Sequence, residues 1–445
     1  MKILNYKEIL GNLRGEKIKY YLVKGELKLL RPDLYPHKKD ELPILCETSE
    51  TLPVDEGYTS GFRSIIKVYD EYVVKLKGIG IPFANVKPIY KNGKIHTYYF
   101  KSEFIGTGQL IWGFMTPEEA EIEIENMFKL KDLGIPAPES IGLGLYENIK
   151  LLELNNRYEL ANKIAEGGKE WLLNMLEKSE KNTRGSCIFY KNISDIRVDE
   201  ILYGLLIPKV ENVINVKEVK AYLKWLGSSC GFNLRILHDN GIIHGTIFDS
   251  TGMGIYTNSH LANHVVGFDN TYITDFHLTK ELKGKELEKM KLEEYYALWH
   301  VMNPLPSAEK FVLHQVKRST ILNMPEIFSQ THPVDGFQMF DEVMSIHGGY
   351  YRPTNVYEEF TESLIDGIEY GYNKLKKYEV EGKLKRKMLI ALSILKKFFL
   401  EIYGLPKGME RGREAIGIVM NMKKINEKEL KTKINEIKGL IAELL

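Results

Sequence analysis

The chain has 445 residues, 44% of them apolar and 27% charged. This balance excludes wholesale disorder, a collagen-like fibre and a disulfide-stapled miniature domain, and leaves room for roughly two to four domains or lobes. The net charge is only +1, so no global electrostatic signal points to nucleic acid or an anionic membrane surface.

Residues 1–50 read as a mixed cap without a motif. No window approaches about 18 uncharged apolar residues, so no membrane span is expected. Charge and apolar residues alternate too quickly at the N-terminus for a signal peptide, and a cytoplasmic location is expected. Cys46, Cys187 and Cys230 are widely spaced, with no Cys-x-x-Cys pair, and are expected as buried thiols of a reducing compartment.

From Gly57, GYTSGFRSIIKVYDEYVVKLKGIG predicts two β-strands around the turn at Tyr69, Asp70 and Glu71. In PIYKNGKIHTYYF the pair Asn92-Gly93 suits a two-residue hairpin turn. A helix follows, with Thr116 as cap, Pro117 in its first turn and Glu119 completing a capping box. Ile124, Met127, Phe128 and Leu130 supply much of its apolar face, and Gly134 and Pro136 end it.

A helical insertion is expected near 150–185 and a strand at 187–193. A long amphipathic helix is expected at about 216–240, where Val219, Leu223, Leu226, Cys230, Leu234 and Leu237 recur at helical spacing. After a long loop come two short strands, HVVGF and TYITDF, joined by Asp269-Asn270. From about 285 the chain reads as helices, ending in a charged amphipathic helix from 424. Strands first and helices after predict an α+β protein, with a sheet-rich N-terminal lobe over 1–192 and a helical C-terminal lobe over 193–445.

The chemistry concentrates at 244–277. Asn263 and Asp275 flank a hairpin, which returns the chain so that the two residues can converge. An amide carbonyl and a carboxylate are hard oxygen donors suited to Mg2+, with nucleotide phosphates completing the shell. Upstream, Lys77 lies in an alternating strand before Gly78 and Gly80; its ammonium suits phosphate oxygens and needs a carboxylate partner. Lys75 shares that strand face and is the alternative. In TSGFRS, the amides around Gly61, with Ser60 and Arg63, would cradle phosphates, or the segment simply connects strands. Histidines 260, 264, 277 and 300 match no zinc spacing.

Glycine turn, strand lysine, acidic helix, His-Gly loop with Asn, and then Asp follow one another as in the protein-kinase-like fold. LKGIG at 76–80, EIENMFKLKDLGIPAPESIGLGL at 123–145 and HGT…HLANHVVGF…ITDFH at 244–277 resemble blocks of the selenoprotein O family. The helix resembles that of the RIO-type atypical kinases as well. In the selenoprotein O family an acidic residue stands eleven positions before Gly-Ile-Pro. Here that residue is Glu123, the implied partner of Lys77, with Glu121 and Glu125 as alternatives.

The resemblance covers about 150 residues in blocks and implies a two-lobed fold with nucleotide between the lobes. The family's arginine after Gly-Ile-Pro is Glu139 here, and IPKVENV at 207–213 replaces its arginine-rich hinge. The Asp that a conventional kinase uses as base, five residues before the metal-binding Asn, is Asn258; counted from His-Gly the position is Thr246. Asp249, in the inserted loop, is the candidate to be recruited instead. His277 replaces the glycine of the usual Asp-Phe-Gly turn.

The expected activity is transfer of a phosphoryl or adenylyl group from ATP, with Mg2+ or Mn2+, to a hydroxyl acceptor, on protein as the resemblance implies. Two alternatives stay open: a pseudokinase-like binding module, and a small-molecule phosphotransferase, since the His-Gly loop and helical lobe are also similar to aminoglycoside and choline kinases. The aromatic-rich loop at 347–355 is a possible substrate contact or ordinary surface packing.

Overall fold

A computed structural model describes residues 15–60, 63–80, 82, 88–97, 113–147, 149–151, 184–248, 254–298, 356–403 and 426–444. The protein is mixed α/β. Its described residues fall into two compact units, one of Arg14–Phe128 with Pro138–Ile193 and one of Lys129–Ala137 with Ser194–Leu445. The helical insertion expected near 150–185 and the loop at 347–355 lie almost wholly outside the described residues.

The first unit holds β1 (Lys17–Leu29), β2 (Glu41–Ile44), β3 (Glu47–Thr48), β4 (Val54–Thr59), β5 (Ser64–Val68), β6 (Val73–Lys77), β7 (Ile89–Lys91), β8 (Lys94–Thr97), β9 (Glu139–Tyr146), β10 (Ile149–Leu151) and β11 (Ser186–Asn192). Helix α1 (Pro117–Asp132) begins in it. Strands β1, β4, β5, β6, β11 and β9 pair in that order, all antiparallel, and β9 returns to β1. Six strands thus close into a barrel with no free edge, and β2 pairs along β1.

The expectation of a motif-free cap over residues 1–50 therefore fails. The thirteen residues of β1 are long enough to pair with β4 through Lys17–Tyr21 and with β9 through Gly25–Leu29. Tyr20, Leu22, Ile65, Val74, Leu76, Ile141 and Phe189 join one buried apolar cluster. With side chains alternating along a strand, Lys75 and Lys77 point away from the face that Val74 and Leu76 commit to this core.

Local chemistry explains the connections. Asn92 and Gly93 both have positive φ, 53° and 72°, as a type I′ turn between β7 and β8 requires. At the start of α1 the Glu119 N–H donates to Thr116 Oγ1 at 3.1 Å while the Thr116 N–H donates to Glu119 Oε2 at 2.9 Å, a complete capping box. Phe128 corrects the predicted apolar face: it is 47% exposed, whereas Ala120, Glu123, Ile124, Met127 and Leu130 are buried. The helical period turns Phe128 outward, one step past Met127, and puts Glu123 on the buried stripe.

The second unit holds helices α2 (Val198–Leu202), α3 (Val216–Asp239), α4 (Gly284–Ala297), α5 (Tyr357–Lys374), α6 (Gly382–Tyr403) and α7 (Glu427–Leu444). Its strands are β12 (Ile242–Ile243), β13 (Thr246–Phe248), β14 (Gly254–Thr257), β15 (His264–Val266), β16 (Thr271–Ile273) and β17 (Lys280–Glu281). Asn215 caps α3 by accepting from the Lys217 and Glu218 amides, and the six apolar residues predicted for its inner face are all buried.

Helices α3 and α5 approach through paired small residues. A methyl group on Gly227 would meet the Leu364 carbonyl oxygen at 2.2 Å, one on Gly231 that of Ile368 at 2.3 Å, and one on Gly371 that of Ser228 at 2.1 Å. These are backbone atoms and cannot rotate aside. Gly227-x-x-x-Gly231 and Gly367-x-x-x-Gly371 are therefore what lets the two backbones come so close. Gly231→Ala should cost at least the ~1–3 kcal/mol of ordinary overpacking, read as a lowered urea midpoint. An unchanged midpoint would refute this close approach.

Candidate functional site

In the first unit, the side chain of Lys77 reaches α1. Its Nζ donates to both carboxylate oxygens of Glu123, each at 2.7 Å. Both residues are buried, Lys77 at 5% exposure and Glu123 at 0%. Glu121 and Glu125 are exposed, and Glu121 lies 3.6 Å from Lys28. Lys75 is buried on the same strand face as Lys77.

Glu139 is engaged by Arg31 and lies 3.8 Å from Lys191. The Ser60–Arg63 segment connects β4 to β5. The Ser60 N–H donates to the Ser64 carbonyl at 2.9 Å, and the Arg63 carbonyl accepts from the Gly78 N–H at 2.9 Å. Those groups serve the strand connection; Gly61 lies outside the described residues.

In the second unit, Asn258, Asn263, Asp275 and His277 form one network. Residues Leu261–Asn263 make a single turn before β15, and β16 leads into Asp275. Asp275 has φ +72°, a left-handed backbone that a non-glycine residue adopts at a cost. The His277 Nδ1–H donates to Asp275 Oδ1 at 2.8 Å. The Asn263 Nδ2–H donates to the Asn258 carbonyl at 3.0 Å, and Asn263 Oδ1 accepts from Arg197 Nη1 at 3.1 Å. Arg197 also reaches the Ala262 carbonyl and Thr274 Oγ1. Asn258 Nδ2 donates to the Asp275 carbonyl at 2.9 Å.

Behind this network a buried carboxylate holds the His-Gly turn. Glu294 of α4 accepts from the His244 N–H at 2.9 Å, from the Gly245 N–H, and from His238 Nε2 at 2.9 Å. The Tyr372 hydroxyl, 2.6 Å from His238 Nδ1, completes the chain. Burial pushes the Glu294 carboxyl up, but the hydrogen bond and charge of His238 and the further donors outweigh it and hold the group below the ordinary carboxylate range. His244 Nε2 lies 2.8 Å from the Thr274 carbonyl and 3.2 Å from that of Asp275, so it carries the proton. Burial lowers the pKa of His244, which favours the neutral ring.

Arg197 and Glu294 escaped the sequence reading. Glu294 carries the same signal as Glu123, an acid on an apolar helix stripe, here with Met290, Ala297 and Leu298. Arg197 carries none; only the folded partners give it a role. Asp249 and His300 lie outside the described residues. Cys46, Cys187 and Cys230 are buried and unpaired to one another, and burial pushes the Cys187 and Cys230 thiols up to about 12. Among the described residues no helix is long and apolar enough to cross a membrane.

No family model matches the chain, and no curated protein matches it. Among solved structures it is similar to "WaaP in complex with acyl carrier protein", at 11% identity over 64% of this chain and 85% of that chain, with a TM-score of 0.26. At that score the likeness decides neither fold nor function.

Proposed function

We propose that the protein is a transferase of the protein-kinase-like type, using ATP and Mg2+ or Mn2+ to move a phosphoryl or adenylyl group to a hydroxyl acceptor, on protein in the favoured reading. The observation that carries the reading is the buried Lys77–Glu123 pair. Removing two charges from water costs several kcal/mol per ion, so a buried pair is weak evidence for stability alone. An ammonium held in this way is a point charge fixed in place, the kind of group that binds phosphate oxygens.

The second support is Asp275, a carboxylate on left-handed backbone whose main-chain carbonyl is held by the Asn258 amide. A carboxylate and an amide carbonyl are oxygen donors of the kind a hard divalent cation takes. The cation would supply charge neutralisation at the phosphates. The residues' own work is then to bind and orient, and positioning carries most of the catalysis in phosphoryl transfer. A binding module without catalysis is the second reading, favoured by Asn258 standing where a base would be, since an amide takes no proton at neutral pH.

Mg·ATP at a hundred times its dissociation constant should stabilise the folded chain by about 2.7 kcal/mol, read as a raised melting temperature. Asp275→Ala should remove most of that shift. No shift at millimolar Mg·ATP in the unmutated protein would end both readings. Incubation with α- or γ-labelled ATP then separates them: γ-label on an acceptor means phosphoryl transfer, α-label means adenylyl transfer, and no label leaves binding alone.

A further inference from the structure

We infer that the amide oxygen completing the cation site with Asp275 belongs to Asn258 rather than to Asn263, an inference that rests on the transferase reading above. The two side chains are told apart by their partners. In Asn263 both ends of the amide are occupied: Nδ2 donates to the Asn258 carbonyl, and Oδ1 accepts from the guanidinium of Arg197. A cationic group already sits against the oxygen that a metal would need, and a second cation there would meet like charge.

Asn258 is the reverse case. It is fully buried, and its Nδ2 donates to the backbone carbonyl of Asp275 itself, at 2.9 Å. Because a carbonyl only accepts, this bond fixes which end of the amide is nitrogen. The other end, Oδ1, is buried with no hydrogen-bond partner. Leaving a buried carbonyl unpaired costs the desolvation of that oxygen, a cost that a cation bound beside Asp275 would remove.

The surrounding bonds keep that oxygen in place. The Asn258 N–H donates to the Gly245 carbonyl at 2.8 Å, Asn263 holds the Asn258 carbonyl, and His277 fixes the Asp275 carboxylate from the side. Asn263 is thus a positioning residue. It ties the segment carrying Asn258 to Arg197, and Thr274 N–H closes the same loop on the Asn263 carbonyl at 3.0 Å. The residue at the place of the usual base becomes, in this chain, a ligand.

The experiment is Mn2+ binding to the full chain without nucleotide, followed by electron paramagnetic resonance of free Mn2+. Asn258→Ala should weaken binding by at least the roughly tenfold that even an outer-shell partner's loss costs. Asn258→Asp, which keeps an oxygen at that place, should bind at least as tightly as the unmutated chain. Crystals of the unmutated protein soaked in MnCl2 should show anomalous density within about 2.6 Å of Asn258 Oδ1, a readout that does not depend on any variant folding. Unchanged Mn2+ affinity in Asn258→Ala, an equal loss in Asn258→Ala and Asn258→Asp, or density on Asn263 Oδ1 instead would overturn the assignment while leaving Asp275 as a ligand. No Mn2+ binding by the unmutated chain would overturn the assignment alone; the transferase reading stands or falls on the Mg·ATP shift described above.

Discussion

Replacing Lys77 by methionine should destabilise the folded chain by about 3–5 kcal/mol, because it leaves the Glu123 carboxylate buried without its counter-charge. Glu123 has no exposed side-chain surface and Lys77 retains only 6% of its own. Neither charge can turn to water when its partner is removed. The contrast is Lys17 with Glu56, whose side chains are 60% and 43% exposed; an ion pair of that kind is worth about 0–1 kcal/mol. Glu123→Leu should also destabilise, since it removes the buried counter-charge that both Lys77 hydrogen bonds reach.

The double variant, Lys77→Met with Glu123→Leu, should recover most of the loss, because an apolar pair of similar volume replaces a desolvated ionic one. All three should lose Mg·ATP binding if the lysine receives phosphate. Urea midpoints of the single and double variants give the stability cycle, and thermal shift with Mg·ATP gives the binding. A loss below about 1 kcal/mol in Lys77→Met would mean that solvent screens the pair. Retained nucleotide binding in a well-folded double variant would remove Lys77 from the site.

The features legible in the sequence are those whose cause is local. The capping box of Thr116 and Glu119 and the Asn92-Gly93 turn need only neighbours in the chain, and both are present as predicted. The apolar stripe of α3 is legible for the same reason, since a 3.6-residue period is written along the chain. Closure of the barrel was not, because it depends on Gly25–Leu29 pairing with residues 142–146, more than a hundred positions away. Nothing in KIKYYLVKGELKL by itself names that partner.

The site divides in the same way. Glu123 was reachable only through the resemblance, which implied an acid eleven positions before Gly-Ile-Pro, and its carboxylate accepts from Lys77. Arg197 and Glu294 act through backbone carbonyls and amides distant in sequence, and a backbone group leaves no mark on residue identity. The choice between Asn258 and Asn263 is likewise invisible in the chain, where both are asparagines before a hairpin. It turns on which oxygen a guanidinium has already taken.

His264→Leu should make the protein markedly less sensitive to acid. His264 is wholly buried in β15, and neither ring nitrogen has a hydrogen-bond partner. Burial first, then the neighbouring His244 and Arg197, hold its pKa down to about 3, from 6.5 for an ordinary imidazole. The folded state therefore refuses a proton that the unfolded chain accepts below about pH 6.5. The stability that follows from this refusal is complete above that pH and is lost as pH falls toward the folded-state value, by up to about 1.4 kcal/mol per pH unit.

Between pH 7 and pH 5 the unmutated chain should lose about 2 kcal/mol more than His264→Leu does. His37, pushed down to about 4 by its own burial, contributes an acid limb common to both proteins and cancels in the difference. At pH 7 the leucine removes two unsatisfied buried nitrogens at nearly constant volume, so the variant should be no less stable than the parent. Urea midpoints at the two pH values decide the matter. Parallel losses in the two proteins would show that a proton reaches His264 without unfolding the strand, and a variant much weaker at pH 7 would show that the imidazole is bonded after all.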